Sequence, residues 1–300
     1  MSMHQFMKLF FLRNQALAPV LLVGKLSNQY IINHDDNTVD YKNHLYVDCC
    51  YAKSEEILRK IKDSTLINIG CGGIGHYLMY AYASYLPKKI IMIDGDVVSP
   101  SNLNRQIFFD LTDINRPKCD VIKEKLSNRF ETISYEAHRK FATISVLEEI
   151  IDKIPNKENI ILTISGDNNT TVKDSILIAK KYKIPCLNIG YLNDYSVIGP
   201  FYIPDYSACP FCTDLGADYE DNRYKELDEF NSFYRAPSSF INSSMASAMA
   251  MTDVLHYFSG ELESINSLNK RIGIGNKQFN VVNVEVQKNE TCNICGKIHT

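Results

Sequence analysis

The stretch Leu66–Arg105, LINIGCGGIGHYLMYAYASYLPKKIIMIDGDVVSPSNLNR, constrains the fold of this chain more than any other. A short apolar strand over Leu66–Ile69 enters the turn Gly70-Cys71-Gly72-Gly73-Ile74-Gly75. An apolar helix follows, and Lys89–Ile93 makes a second strand ending at Asp94. Glycines at this spacing let backbone N–H groups and a helix N-terminus come close to a phosphate. Asp94 stands nineteen residues beyond Gly75, where an acid reaches a ribose hydroxyl. Strand, turn, helix and acid in this register predict a nucleotide site built on Gly70, Gly72, Gly73, Gly75 and Asp94. The fold class that follows is α/β, a doubly wound, mostly parallel sheet with a Rossmann-like nucleotide site.

The alternation continues downstream. Asn159–Ser165 reads as a buried strand closing on Gly166-Asp167-Asn168, Thr171–Lys181 as a helix and Pro185–Gly190 as a further strand, with a less distinct one near Ser134–Ala137. Strands separated by helices imply a parallel sheet covered on both faces. Beyond residue 190 the strands Asp194–Ile203 and Phe279–Val286 flank a helix over about Phe240–Phe258, an antiparallel C-terminal extension. Residues 214–235 are charged, tyrosine-rich and aperiodic, the pattern of a long loop. Upstream, Pro19–Lys25 and Gln29–Asn33 read as short strands and His34–Asn37 as a turn. Leu45–Val47 reads as a third strand and Ser54–Ile61 as a helix capped by Ser54. The expected division is therefore a small N-terminal β segment over 1–60 and a main domain over 61–300. The first is too small for a core of its own, so it is expected to pack on the main domain or on a second subunit. Its edge could take an extended peptide as an added strand.

A formal charge of −3 gives no sign of nucleic-acid binding. No apolar run reaches the roughly 18 residues of a membrane span. The apolar segment Met7–Val23 is interrupted by Arg13, Asn14 and Gln15, unlike a signal sequence. A cytoplasmic protein without a membrane partner is expected.

Two constellations carry chemistry. Arg105 and Lys118 lie thirteen residues apart just beyond the second strand, near the carboxyl ends where open α/β sheets bind ligands. Two cations there suit a triphosphate better than a diphosphate bridge. Asp167 directly follows a buried strand, a position from which a carboxylate can hold Mg²⁺ between phosphates. The second constellation is Cys209-Pro-Phe-Cys212 with Cys292-Asn-Ile-Cys295, four of nine cysteines. Two CxxC pairs offer the four thiolates of a closed structural Zn²⁺ site; a redox role is the lesser reading.

GCGGIG, IDGD (93–96), SNLNRQ (101–106), RPK (116–118), SGDN (165–168) and the paired CxxC resemble the ThiF/MoeB superfamily of adenylating enzymes, relatives of ubiquitin-activating enzyme. LNIGYLNDYSVIGPFYIP (187–204) and SLNKRIGI (267–274) resemble its MccB-like branch, which modifies the microcin C precursor peptide and to which the pantocin-forming PaaA is akin. The resemblance implies that the glycine turn and Asp94 hold adenosine, that Asn102, Arg105, Gln106 and Lys118 meet the phosphates, and that Asp167 binds Mg²⁺. A carboxylate or carboxamide oxygen of a short ribosomal precursor peptide would attack the α-phosphate of ATP. The resemblance further implies a homodimer in which a cation from before the glycine strand reaches across to the nucleotide. That position is Lys42 here, with Arg13 as a possible substitute. Activation of a ubiquitin-like sulfur carrier, or leader-peptide capture without catalysis, are the rival readings. No cysteine lies between Cys212 and Cys292 to form a thioester, and Cys186 is expected to be a buried small apolar residue.

Overall fold

A computed structural model describes residues 37–165, 169–213 and 237–296. Eight strands form one sheet: β1 Thr65–Ile69, β2 Lys89–Ile93, β3 Ser134–His138, β4 Ile160–Ile164, β5 Cys186–Leu192, β6 Tyr195–Tyr202, β7 Lys270–Gly275 and β8 Val281–Glu285. Their spatial order is β3-β2-β1-β4-β5-β6-β7-β8. The first five are parallel, and β5 through β8 are antiparallel. This is the expected doubly wound sheet with its antiparallel extension.

The helices are α1 Tyr41–Cys50, α2 Ser54–Lys62, α3 Gly73–Ala83, α4 Lys118–Arg129, α5 Ile144–Asp152, α6 Asn169–Tyr182 and α7 Phe240–Ser259. They cover the sheet because its strands are apolar on both faces. Leu66, Ile90 and Ile161 pack with Ile57, Ile61, Met79 and Val254 on one side. Ile67, Ile69, Ile91 and Leu162 pack with Leu147, Ile151 and Ile176 on the other. α7 also lies on β5 and β6, where Ala246 and Ala250 meet Leu187, Ile189 and Ile198. No described helix is long and apolar enough to cross a membrane.

The N-terminal expectation needs correction where residues are described. Leu45–Val47 is not a strand but the middle of α1. Helical spacing brings Asn43 and Val47, four residues apart, onto the protein: Val47 is buried, and Asn43 Nδ2 donates to Ser84 O at 2.8 Å. Ser54 is the first residue of α2 and makes no side-chain cap; Lys53 occupies the cap position. The boundary at residue 60 falls inside α2, whose Ile57, Leu58 and Ile61 belong to the main core. The strands read over 19–33, the turn residues 34–36, Arg13 and the loop 214–235 lie outside the described residues. β8 starts later than expected because Phe279, with φ of 55°, is still in the turn.

Candidate nucleotide site and sulfur cluster

The parallel strands end on one row. Ile69 is in register with Ile93 and with Ile164, Ile93 with His138, and Ile164 with Asn188. The residues that follow therefore share one rim: Gly70, Asp94 and Ser165. Gly70 takes φ of 93°, and a Cβ there would press on Ser165. Its carbonyl accepts from Asn68 Nδ2 at 2.8 Å and from Ser165 Oγ at 2.8 Å. A Cβ at Gly75 would stand 2.2 Å from that same oxygen, so only glycine lets α3 start this close to the strand. Gly72 faces open space, on the side a phosphate would approach. Gly73 is crowded instead, its missing side chain replaced by Ser243 and by Arg105 Cδ.

Asp94 uses both carboxylate oxygens on backbone: Oδ2 accepts from Cys71 N at 2.6 Å and Oδ1 from Asp96 N at 2.8 Å. Each oxygen keeps a lone pair for a ribose hydroxyl. Lys118 opens α4 and is 7% exposed. Its Nζ lies 2.8 Å from Asp96 Oδ2, on a side chain that is 54% exposed. Arg105 Nη1 donates to Ser101 O and Asn104 Oδ1 at 2.8 Å each, with no ion pair among the described residues. Both cations act electrostatically on His76. Burial first, then the charges of Lys118 and Arg105, push this imidazole down to about 3, so it is neutral at any working pH. Its Nδ1 accepts from Phe108 N at 3.3 Å, and its ring lies between Phe108 and Phe109. His76 thus fastens the loop carrying Arg105 to the glycine helix.

Asn102 and Gln106 are buried beside Arg105. Asn102 Oδ1 accepts from Ser99 N at 2.9 Å in a capping box, and Gln106 N donates to Asn102 O. Both brace the loop; the Gln106 Oε1 has no partner among the described residues. Asp167, read as the Mg²⁺ ligand, lies outside the described residues. Lys42 is exposed on α1, next to Asn43, which bonds Ser84 at the carboxyl end of α3. The eleven residues of α3 put about 16 Å between that end and the glycine turn. Lys42 is thus remote from the turn of its own chain.

Sequence reasoning missed four contributors. Asn68, Ser165 and His76 support the turn, and a polar residue such as Asn68 inside an apolar strand was a legible signal. The fourth is Arg271 on β7. Its Nη2 reaches across β6 to lie 3.9 Å from where a Gly190 Cβ would be. Gly190 stands two residues beyond Asn188, the register partner of Ile164 at the end of β4. The Arg271 side chain is exposed and has neither hydrogen bond nor ion pair among the described residues.

The four cysteines converge as predicted. All their Sγ atoms lie within 4.8 Å of one another. Cys209–Cys292 and Cys209–Cys212 are 3.8 Å apart and Cys212–Cys295 3.3 Å. Sulfurs 2.3 Å from a central ion stand about 3.8 Å apart at tetrahedral corners, so the cluster fits such an ion. Phe211 N–H donates to Cys209 Sγ, and hydrogen bonds from Cys209 and Cys295 hold the Cys212 thiol below its usual range. Cys186 is fully buried, and burial pushes its thiol well up.

Glycine turn, ribose-height acid and two cations on one rim of a doubly wound sheet define a nucleotide-binding α/β protein. The chain belongs to the ThiF family, which it matches over residues 49–294. E. coli MccB superposes with a TM-score of 0.75 at 27% identity, covering 88% of this chain and 74% of that one. MccB has also been solved with ATP, and, described as a Microcin C7 biosynthetic enzyme, with N-formylated MccA. PaaA shares the fold, with a TM-score of 0.70 at 19% identity over 91% of this chain and 95% of its own. The sulfur carrier protein ThiS adenylyltransferase of E. coli strain K12 is 32% identical over 93 residues, 31% of this chain and 37% of that protein. The tRNA threonylcarbamoyladenosine dehydratase of Bacillus subtilis strain 168 is 30% identical over 101 residues, 34% of this chain and 40% of its own length. The chain spans 40% or less of the length of the curated relatives it matches.

Proposed function

We propose that this protein is an ATP-dependent adenylyltransferase that activates a carboxyl or carboxamide group on a short ribosomally made peptide, in the making of a microcin- or pantocin-like antibiotic. The observation that carries the reading is the pairing of Lys118 with Asp96. A buried lysine whose carboxylate partner is half in water can exchange that partner for a phosphate. Arg105, without an ion pair among the described residues, is ready for the same charge. The substrate oxygen attacks the α-phosphorus, its bond to the bridging oxygen breaks, and pyrophosphate leaves. Lys118 and Arg105 stabilise the charge that gathers on the departing phosphates, so catalysis is electrostatic and positional. Arg271, with no ion pair among the described residues, fits an anionic group of the peptide. Mg²⁺ beside Asp167 and a second copy supplying Lys42 complete this reading. The sulfur cluster would hold Zn²⁺ as a staple between the segments after β6 and β8; a closed four-sulfur site leaves no position for substrate.

The likeness to the ThiS adenylyltransferase favours a second reading, activation of a ubiquitin-like sulfur carrier. Mass spectrometry of the short peptide encoded beside this gene, incubated with the protein, Mg²⁺ and ATP, separates the two. An added AMP mass supports nucleotide conjugation, and loss of water with free AMP or ADP supports a transient adenylate. An unchanged peptide overturns the peptide reading. Asp167→Asn distinguishes catalysis from peptide capture: it abolishes turnover and leaves capture intact.

A further inference from the structure

Phe141 is a large apolar side chain left 70% exposed, on the rim already described. It follows β3 by three residues, and its backbone is held on both sides. Lys140 N donates to His138 O, the same carbonyl that accepts from Asp94 N. Ala142 is buried in the core, and Thr143 caps α5 by accepting from Val146 N. The ring is therefore presented outward by an anchored segment. It lies against Gly95, the residue after Asp94. A Cβ on Gly95 would stand 2.8–2.9 Å from the Cδ2, Cε2 and Cζ atoms of the ring, so glycine there is what lets the aromatic ring settle beside the ribose acid.

The sheet order supplies the direction. A nucleotide with phosphates at the turn after β1 and ribose at Asp94 after β2 continues toward β3, the next strand outward. Its base thus arrives at the rim beyond β3. We propose that Phe141 is the stacking platform for the purine base of the nucleotide, and that it sets a preference for purine over pyrimidine triphosphates. The Cδ2, Cε2 and Cζ atoms of the ring are set against Gly95, and most of the side chain remains exposed to meet a base. This inference rests on the nucleotide site above and adds a residue to it.

Fluorescence titration with 2-aminopurine riboside triphosphate tests the stacking directly, because this base loses emission when stacked on an aromatic ring. Wild type should quench it; F141A should bind it and unlabelled ATP on the order of tenfold more weakly, with little quenching. F141W or F141Y should restore both, F141L should restore neither fully, and all four should melt with wild type because the ring is exposed. In turnover, F141A should raise the KM for ATP with kcat little changed and narrow the ATP-to-CTP preference. Equal affinity and equal quenching in F141A, with ATP still bound, overturns the platform and leaves the nucleotide site standing. Failure of wild type to bind Mg²⁺–ATP at all overturns both.

Discussion

Gly75 and His76 show how little freedom the residues around the turn have. A methyl group at Gly75 cannot fit 2.2 Å from the Gly70 carbonyl, so Gly75→Ala must displace the start of α3. It should cost about 1–3 kcal/mol and remove the stabilisation that ATP gives, both read by calorimetric melting with and without nucleotide. His76 makes the converse point, a titratable group held neutral. Its folded value of about 3 lies below the roughly 6.5 of an unfolded histidine, so the unfolded chain takes up the proton first. Its contribution is complete above pH 6.5 and is lost as pH falls toward 3. His76→Asn should flatten this part of the stability–pH curve, measured by urea unfolding between pH 4 and 7. At the reacting phosphates, Lys118→Ala should reduce pyrophosphate release by about 10²–10³-fold, with melting near that of wild type.

Strand periodicity and turn chemistry made β1, β2, β4 and α3 readable, because apolar runs bounded by glycine have few other solutions. α1 misled because Leu45, Tyr46 and Val47 are apolar in succession, and only the core shows that Val47 alone is buried. β7 was not read as a strand: KRIGIG carries two charges and two glycines, and what it needs is long-range pairing with β6 and β8. The same gap hid Arg271, whose meaning depends on a guanidinium crossing one strand to reach another. The cysteines were legible from spacing alone. The element they hold is testable: Cys292→Ser, or exhaustive chelation of wild type, should lower the melting temperature by on the order of 10 °C. Chelation should do nothing further to the variant.

For the whole molecule, Lys42 sets the sharpest question. An exposed lysine some helix-length away from its own glycine turn acts on a nucleotide only from another copy. Sedimentation at twice 34.2 kDa is the first expectation. Complementation is the second: inactive K42A and K118A proteins, mixed and allowed to exchange, should regain about a quarter of wild-type activity, since half the dimers are mixed and each carries one intact site. No recovery would confine Lys42 to a surface role. Asp94 has a further bearing on how such a molecule meets its ligand. Both oxygens are engaged by the backbone without any nucleotide, so the carboxylate proposed to receive ribose is also the strut that keeps the turn in shape. The ordering cost of the cradle belongs to folding and not to association. Calorimetric titration of ATP should then give a small entropic penalty, and an association rate insensitive to solvent viscosity beyond simple diffusion.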